Sequence, residues 1–203
     1  YLQNSNLLGV LFDNISNQVT IKLEYHTFSD KKTREIIFHP YLLKQYNNRW
    51  YLIGAADDDG KILNFALDRI DVVTTLPEMK YKPCNEDLVE RFEDIIGVTL
   101  YENRDVEHIL FWVSNRSKDY VGTKPIHGSQ CQYKNEKDEE FRKQYPSLNE
   151  GAFFSIDCIP NYELIRELCS FGKDLLVIEP KSVQDDVFHR TQQMYENYLT
   201  IRT

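Results

Sequence analysis

Pro40-Tyr41-Leu42-Leu43-Lys44, Asn48-Arg49-Trp50-Tyr51-Leu52-Ile53-Gly54 and Phe65-Ala66-Leu67-Asp68-Arg69-Ile70 are the three blocks whose reading decides the fold. Proline cannot donate to a central ladder, so residues 33–39 and 41–46 read as strand material bent at Pro40. Asn47-Asn48 is a tight turn into the strand Arg49–Gly54, and Asp57-Asp58-Asp59-Gly60 turns that strand into residues 61–68. Several short strands joined by tight turns within about 60 residues predict a small, strongly bent sheet or barrel.

Working outward, Leu7, Leu8, Leu11, Phe12 and Ile15 recur at helical spacing, which predicts a short amphipathic helix over residues 5–17. Alternation follows: Val19, Ile21, Leu23 and Tyr25 share one strand face and Thr20, Lys22, Glu24 and His26 the other. Ser29-Asp30-Lys31-Lys32 is a polar turn. Residues 74–86 carry two prolines and little periodicity, so a linker is expected there.

Beyond the linker the pattern changes. Val106–Val113, Gln130–Tyr133, Ala152–Ile159 and Leu175–Ile178 read as strands. Lys118–Thr123 and the stretch bearing Tyr162, Leu164, Ile165 and Leu168 read as helices, with Gly172 as a helix stop. The very polar Lys134–Gln144 reads as a solvated loop or hairpin tip, and Pro180 precedes a last helix over about 182–199. The order β-α-β-β-α-β plus a terminal helix is that of a ferredoxin-like domain. The fold class expected is therefore α+β in two domains, 1–78 and 79–203.

Composition narrows the function. The chain has 203 residues with a net charge of −8. Residues 1–80 carry 9 Lys+Arg against 10 Asp+Glu, and residues 81–203 carry 15 against 22. Neither part has the basic excess that a duplex-DNA clamp needs. No apolar run approaches the roughly 20 residues of a membrane span, and the start lacks the basic and apolar regions of a secretory signal. Four cysteines at 84, 131, 158 and 169 form no CxxC pair and read as reduced, buried small hydrophobes of a cytoplasmic protein. The first residue is Tyr1 rather than methionine, so the chain reads as part of something longer. Neither GxGxxG nor GxxxxGK[ST] is present, nor a GxSxG elbow or an HExxH pair. Asp57-Asp58-Asp59-Gly60 lacks the alternating ligands of an EF-hand loop and reads as a hairpin turn. No catalytic residue, metal ligand or cofactor is expected.

The three opening blocks resemble the WYL-domain family, named for the tripeptide that stands here as Trp50-Tyr51-Leu52. The likeness covers residues 5–78 and includes Pro40, the turn before the tripeptide and the close Leu67-Asp68-Arg69-Ile70. The second part is similar to the family's C-terminal extension, through Gly97-Val98, the run Phe171–Val177 followed by Pro180, and the final helix ending in Tyr198.

The resemblance implies an SH3-like (Sm-like) small β-barrel followed by a ferredoxin-like unit. It also implies the ligand-sensing part of a bacterial transcription regulator, without the winged helix-turn-helix that reads duplex DNA. A homodimer and an anionic effector, such as single-stranded nucleic acid or a nucleotide, are the implied partners; a dimerisation module without ligand is the alternative. Many family members carry basic residues before the close, where this chain has Ile62-Leu63-Asn64-Phe65-Ala66. That departure favours a nucleotide-like effector over a longer nucleic acid.

Arg69 is the central candidate, because a guanidinium beside aromatic rings suits phosphate capture and base stacking. Tyr51, His39, Arg49, His26 and Arg34 could join it if the sheet bends them together. Each also has a structural reading. Trp50 and Leu52 share one strand face and read as core, Tyr51 on the opposite face is open to either role, and Arg69 could pair with Asp68 or cap a backbone carbonyl.

Overall fold

Asn47 and Asn48 both adopt left-handed backbone, with φ of 46° and 60°. This is the geometry a two-residue hairpin needs to match strand twist, and asparagine tolerates it well. In the computed structural model of the chain, residues 6–27, 32–101, 103–148 and 150–202 are described. Ser29–Lys31 of the expected polar turn lie outside them. The chain divides into two units, one ending at Val89 and one beginning at Glu90.

In the first unit, helix α1 (Leu7–Ser16) precedes strands β1 (Ile21–His26), β2 (Thr33–Tyr46), β3 (Arg49–Ala56), β4 (Ile62–Ala66) and β5 (Ile70–Thr75). The antiparallel sheet runs β4-β3-β2-β1-β5. Alternation places Ile21 and Leu23 of β1 inward, where they are fully buried with Leu11, Phe38, Leu52, Leu67 and Ile70. Trp50 packs against the same core from its edge. Full burial of each such side chain contributes about 1.5–3 kcal/mol.

The bend expected at Pro40 is a register shift between Pro40 and Leu42 within one strand over residues 33–46. A bulge accommodates the missing N–H without ending the ladder. Opposite it stands Gly54, where a Cβ would land on the His39 carbonyl oxygen and 2.6 Å from Phe38 Cε1. Glycine is the residue that permits this approach.

The expected barrel does not close. The edge strands β4 and β5 share no ladder among the described residues. Their connection, Leu67–Arg69, is a turn of 3-10 helix that swings the chain round a corner. β5 therefore leaves to pair with β1 while β4 stays on β3.

Nor is the expected linker free. Thr74 and Thr75 belong to β5. Further on, Tyr81 donates its hydroxyl hydrogen to the Pro40 carbonyl at 2.8 Å, and Tyr41 donates to the Lys82 carbonyl at 2.9 Å. The segment after β5 is thus clasped to β2.

Helix α2 (Leu88–Glu93) spans the division. The second unit continues with β6 (Glu107–Val113), α3 (Lys118–Thr123), β7 (Cys131–Gln132), α4 (Asn135–Gln144), β8 (Ala152–Cys158), α5 (Tyr162–Ser170), β9 (Leu175–Glu179) and α6 (Lys181–Ile201). Its antiparallel sheet runs β7-β8-β6-β9. Phe111 and Phe154 are cross-strand partners, and their stacked rings lie 5.8 Å apart in the core. Gly172 has φ of +56° just past the end of α5, where a left-handed residue stops a helix without steric cost. β7 has two residues, fewer than the four expected.

Residues 134–144 are a correction: the predicted solvated loop is helix α4. Its first turn holds Glu136 and Asp138 and its last Arg142 and Lys143, which complements the helix dipole. The i,i+4 pair Asp138–Arg142 closes at 2.6 Å. Phe141 is its buried anchor, against Tyr133 and Phe153 at ring distances of 5.1 and 5.3 Å.

Candidate functional site

The turn between β4 and β5 gathers most of the charge that the sequence points to. Arg69 ends it half-buried, and its Nε donates to the His26 carbonyl at 3.0 Å. The guanidinium is thereby tied to the last residue of β1. The His26 ring turns to Asp71, with Nδ1 3.0 Å from Oδ1. Arg49, at the start of β3, places Nη2 2.9 Å from Oδ2 of Asp68. The other oxygen of Asp68, Oδ1, is buried without a hydrogen-bond partner, which is costly for a carboxylate. Arg69 and Asp68 therefore do not behave as a simple local pair. Asp68 takes Arg49, and Arg69 caps a strand end.

Arg34 is an exposed residue on β2, directly across from Tyr25. The Tyr25 ring packs on Phe65 of β4 at 4.6 Å, so Arg34, Tyr25 and Phe65 make an aromatic and cationic strip on one sheet face. Tyr51 is half-buried on β3, between Lys44 of β2 and Ala66 of β4. Burial lowers the Lys44 pKa from its ordinary value. Phe65 is paired with Leu52 on the core-facing side of β3, so Tyr51 and Lys44 lie on the opposite face of the sheet from the Arg34, Tyr25 and Phe65 strip, and each face sets a cation beside a ring. Asp68 Oδ1 adds an acceptor for one ligand N–H or O–H.

His39 is held apart from this group. It is fully buried, and both of its ring nitrogens are engaged. Nδ1 lies 3.1 Å from the Thr20 hydroxyl and accepts the Lys82 N–H at 3.4 Å, while Nε2 lies 3.0 Å from Asp57 Oδ1. The backbone donor fixes Nδ1 as an acceptor and so puts the proton on Nε2. Lys82 Nζ completes the cluster at 2.7 Å from Asp57 Oδ1. Hydrogen bonds from Lys82 and then His39 hold the Asp57 carboxyl below its usual pKa. Burial pushes the Tyr41 phenol up to about 12 and raises Tyr81 as well, so both stay protonated as donors to backbone carbonyls. His39 is therefore the centre of the clasp on residues 81–82, out of a ligand's direct reach.

Sequence reasoning missed this clasp, whose members lie on β2, the β3–β4 turn and the segment after β5. It also missed a pocket of about 630 Å³ between α1 and the β2–β3 hairpin, lined by Leu8, Phe12, Leu43 and Trp50 among others. The exposed Phe12 at helical spacing was the available signal. Among the described residues no cluster of His, Cys, Asp and Glu could hold a metal ion, and no helix is long and apolar enough to cross a membrane.

Residues 6–75 match the family model of the WYL domain. Among solved structures, proteasome accessory factor B/C (PafBC) of Arthrobacter aurescens is similar at 15% identity and a TM-score of 0.41, over 95% of this chain and 27% of that one. A CRISPR Cas-related protein is similar at 12% identity and a TM-score of 0.52, over 95% of this chain and 51% of that one. The latter likeness is one of fold, and this chain spans about half or less of the length of either protein. No curated protein matches the chain.

Proposed function

Residues 6–75 are a WYL domain, and from that premise we propose that the chain is the ligand-sensing, regulatory part of a bacterial transcriptional regulator. In this reading it binds an anionic effector, a nucleotide or single-stranded nucleic acid, and so controls the part of the regulator that reads duplex DNA. It works in the cytoplasm, without catalysis, as a homodimer. The organisation is a sensing domain over residues 1–78 and a C-terminal extension over 79–203. The bent five-stranded sheet is the SH3-like element. The extension is ferredoxin-like with one added helix, α4; its strand order β7-β8-β6-β9 supports that reading.

The observation that carries the proposal is the β4–β5 turn of the matched domain. It sets Arg69 at the end of β1, next to the Arg49–Asp68 pair, whose buried Oδ1 still has acceptor capacity. Arg69, Arg49, His26, Arg34 and Tyr51 are the proposed ligand contacts. His39 acts indirectly, by holding Asp57 and the segment carrying Lys82. A phosphate-bearing ligand with an amino or hydroxyl donor would use both cation and acceptor.

Titration of nucleoside phosphates and short single-stranded oligonucleotides against the full chain tests this by thermal shift and calorimetry. Saturable binding that raises the melting midpoint is expected. Concentration-dependent assembly with no response to any of these ligands would instead support the dimerisation module.

A further inference from the structure

We propose a second anion site, in the second unit and independent of the Arg69 turn, that takes a phosphate-bearing small molecule. A pocket of about 450 Å³ opens between the segment bearing Tyr101 and Arg104, the start of α5 and the middle of α6. That volume lies in the range of small-ligand sites, about 300–1,000 Å³. Two arginines line it, and each lies over a tyrosine ring. The Arg104 guanidinium carbon sits 4.6 Å from the Tyr101 ring centroid, and that of Arg190 sits 5.1 Å from the Tyr162 centroid. Arg104 Nη1 also donates to the Pro160 carbonyl at 2.9 Å, and Arg190 Nη2 approaches the Tyr162 hydroxyl at 3.5 Å.

Neither guanidinium makes an ion pair with a carboxylate among the described residues. The chain has 32 Asp and Glu against 24 Lys and Arg, so carboxylate partners are abundant. Asp186, the acidic residue lining the pocket, stands four positions before Arg190 on α6 and pairs with neither arginine. Stacking occupies the flat face of a guanidinium and leaves its N–H donors in the plane at the edge. A stacked arginine is thus pre-oriented and still able to bind an oxyanion.

The start of α5 adds to the positive potential. Asn161 caps that helix, accepting from Leu164 N–H at 2.9 Å, and both Asn161 and Tyr162 line the pocket. A helix N-terminus carries about half a positive charge. Two arginine forks need more acceptor oxygens than the two of a carboxylate, which favours phosphate. Tyr162 is 52% exposed and leaves ring surface for a planar group of the ligand.

The test is calorimetric titration of the full chain with inorganic pyrophosphate, adenosine diphosphate and adenosine, with melting curves confirming that each variant is folded. Both phosphates should bind, and adenosine should bind far more weakly than the diphosphate. Arg104→Ala and Arg190→Ala should each weaken binding by about tenfold or more, the loss of a charge-assisted contact. Asp186→Asn should tighten it. Arg69→Ala should weaken only the separate nucleotide-binding event of the turn under Proposed function, and titration of the Arg104 and Arg190 variants in that Arg69→Ala background separates the two sites. If Arg190→Ala does not fold, Asp186→Asn and Arg104→Lys decide: the first gains affinity, and the second keeps the charge but loses the fork and weakens. Absence of phosphate binding would overturn the proposal, as would adenosine binding equal to the diphosphate, or undiminished affinity in a folded Arg104→Ala, Arg190→Ala double variant.

Discussion

Replacing Arg69 by alanine should cost both stability and affinity, and the structure allows the two to be sized separately. Taken from sequence, an anion anchor at this position would leave the unliganded protein's melting midpoint nearly unchanged. The geometry gives a different expectation, because Nε already donates to the His26 carbonyl at 3.0 Å in a half-buried setting. A hydrogen bond to a charged group contributes about 1.5–3 kcal/mol. Partial exposure favours the lower part of that range, about 1.5–2 kcal/mol. If the first unit melts on its own, each kcal/mol moves the midpoint by about 4–8 °C for a domain of its size, a fall of roughly 6–16 °C. Arg69→Lys keeps the charge but has no Nε at the right place, so it should lose most of that stability. Affinity for a nucleotide should fall by a further 1.5–3 kcal/mol or so in Arg69→Ala, since the anion contact is charge-assisted. Calorimetric melting and ligand titration on both variants give the two numbers. An unchanged midpoint in Arg69→Ala would refute the capping role. A lowered midpoint with undiminished affinity would remove Arg69 from the ligand site and leave it a purely structural residue.

Gly54→Ala drives a methyl into the His39 carbonyl and the Phe38 ring, so urea unfolding should show a loss of about 1–3 kcal/mol or more; an unaltered midpoint would mean the bulge at Pro40 relaxes freely. Asp57 has a depressed pKa, caused first by Lys82 and then by His39, so its contribution is present above the ordinary carboxylate pKa of about 4 and is lost as pH falls through the lower folded value. Hydrogen exchange around residues 80–84 should accelerate on acidification in that range, and Asp57→Asn should show fast exchange already at neutral pH; equal exchange in both proteins at neutral pH would remove the clasp. Burial pushes the Cys158 thiol up to about 12 whereas Cys131 is exposed, so a thiol reagent should label Cys131 in the folded protein and spare Cys158 until denaturation. Mass spectrometry reads the order, and early labelling of Cys158 would contradict its burial.

What was legible in the sequence was local. Asn47-Asn48, the alternation at 21–25 and the periodicity from Leu7 to Ile15 each carry their meaning within a few residues, and each appears at its place in the first unit. Whether β4 meets β5 was not legible, because it depends on the corner made by Leu67–Arg69 and on which strand β5 then reaches. The role of His39 was hidden for a related reason. Thr20, Asp57 and Lys82 bond its ring and lie 19, 18 and 43 positions away, so no spacing rule links them. The same distance hides the site around Arg104 and Arg190, whose tyrosines come from two separate elements.

Helix α4 is different, since its signal was present and polarity masked it. Asn135–Gln144 is built largely of strong helix formers, with acids in the first turn and bases in the last. A single buried Phe141, wedged between Tyr133 and Phe153, is enough to fasten it. Hydrophobic periodicity needs several apolar positions to register, and a helix held by one aromatic offers only one. Charge order along the segment was therefore the better guide. Phe141→Ala should melt α4 while the β6–β8 ladder survives, because its seven residue pairs do not involve the helix. Loss of helical circular dichroism alongside retained protection of the β6 amides is the expected signature. Collapse of the whole unit would show instead that Phe141 belongs to the core of the sheet.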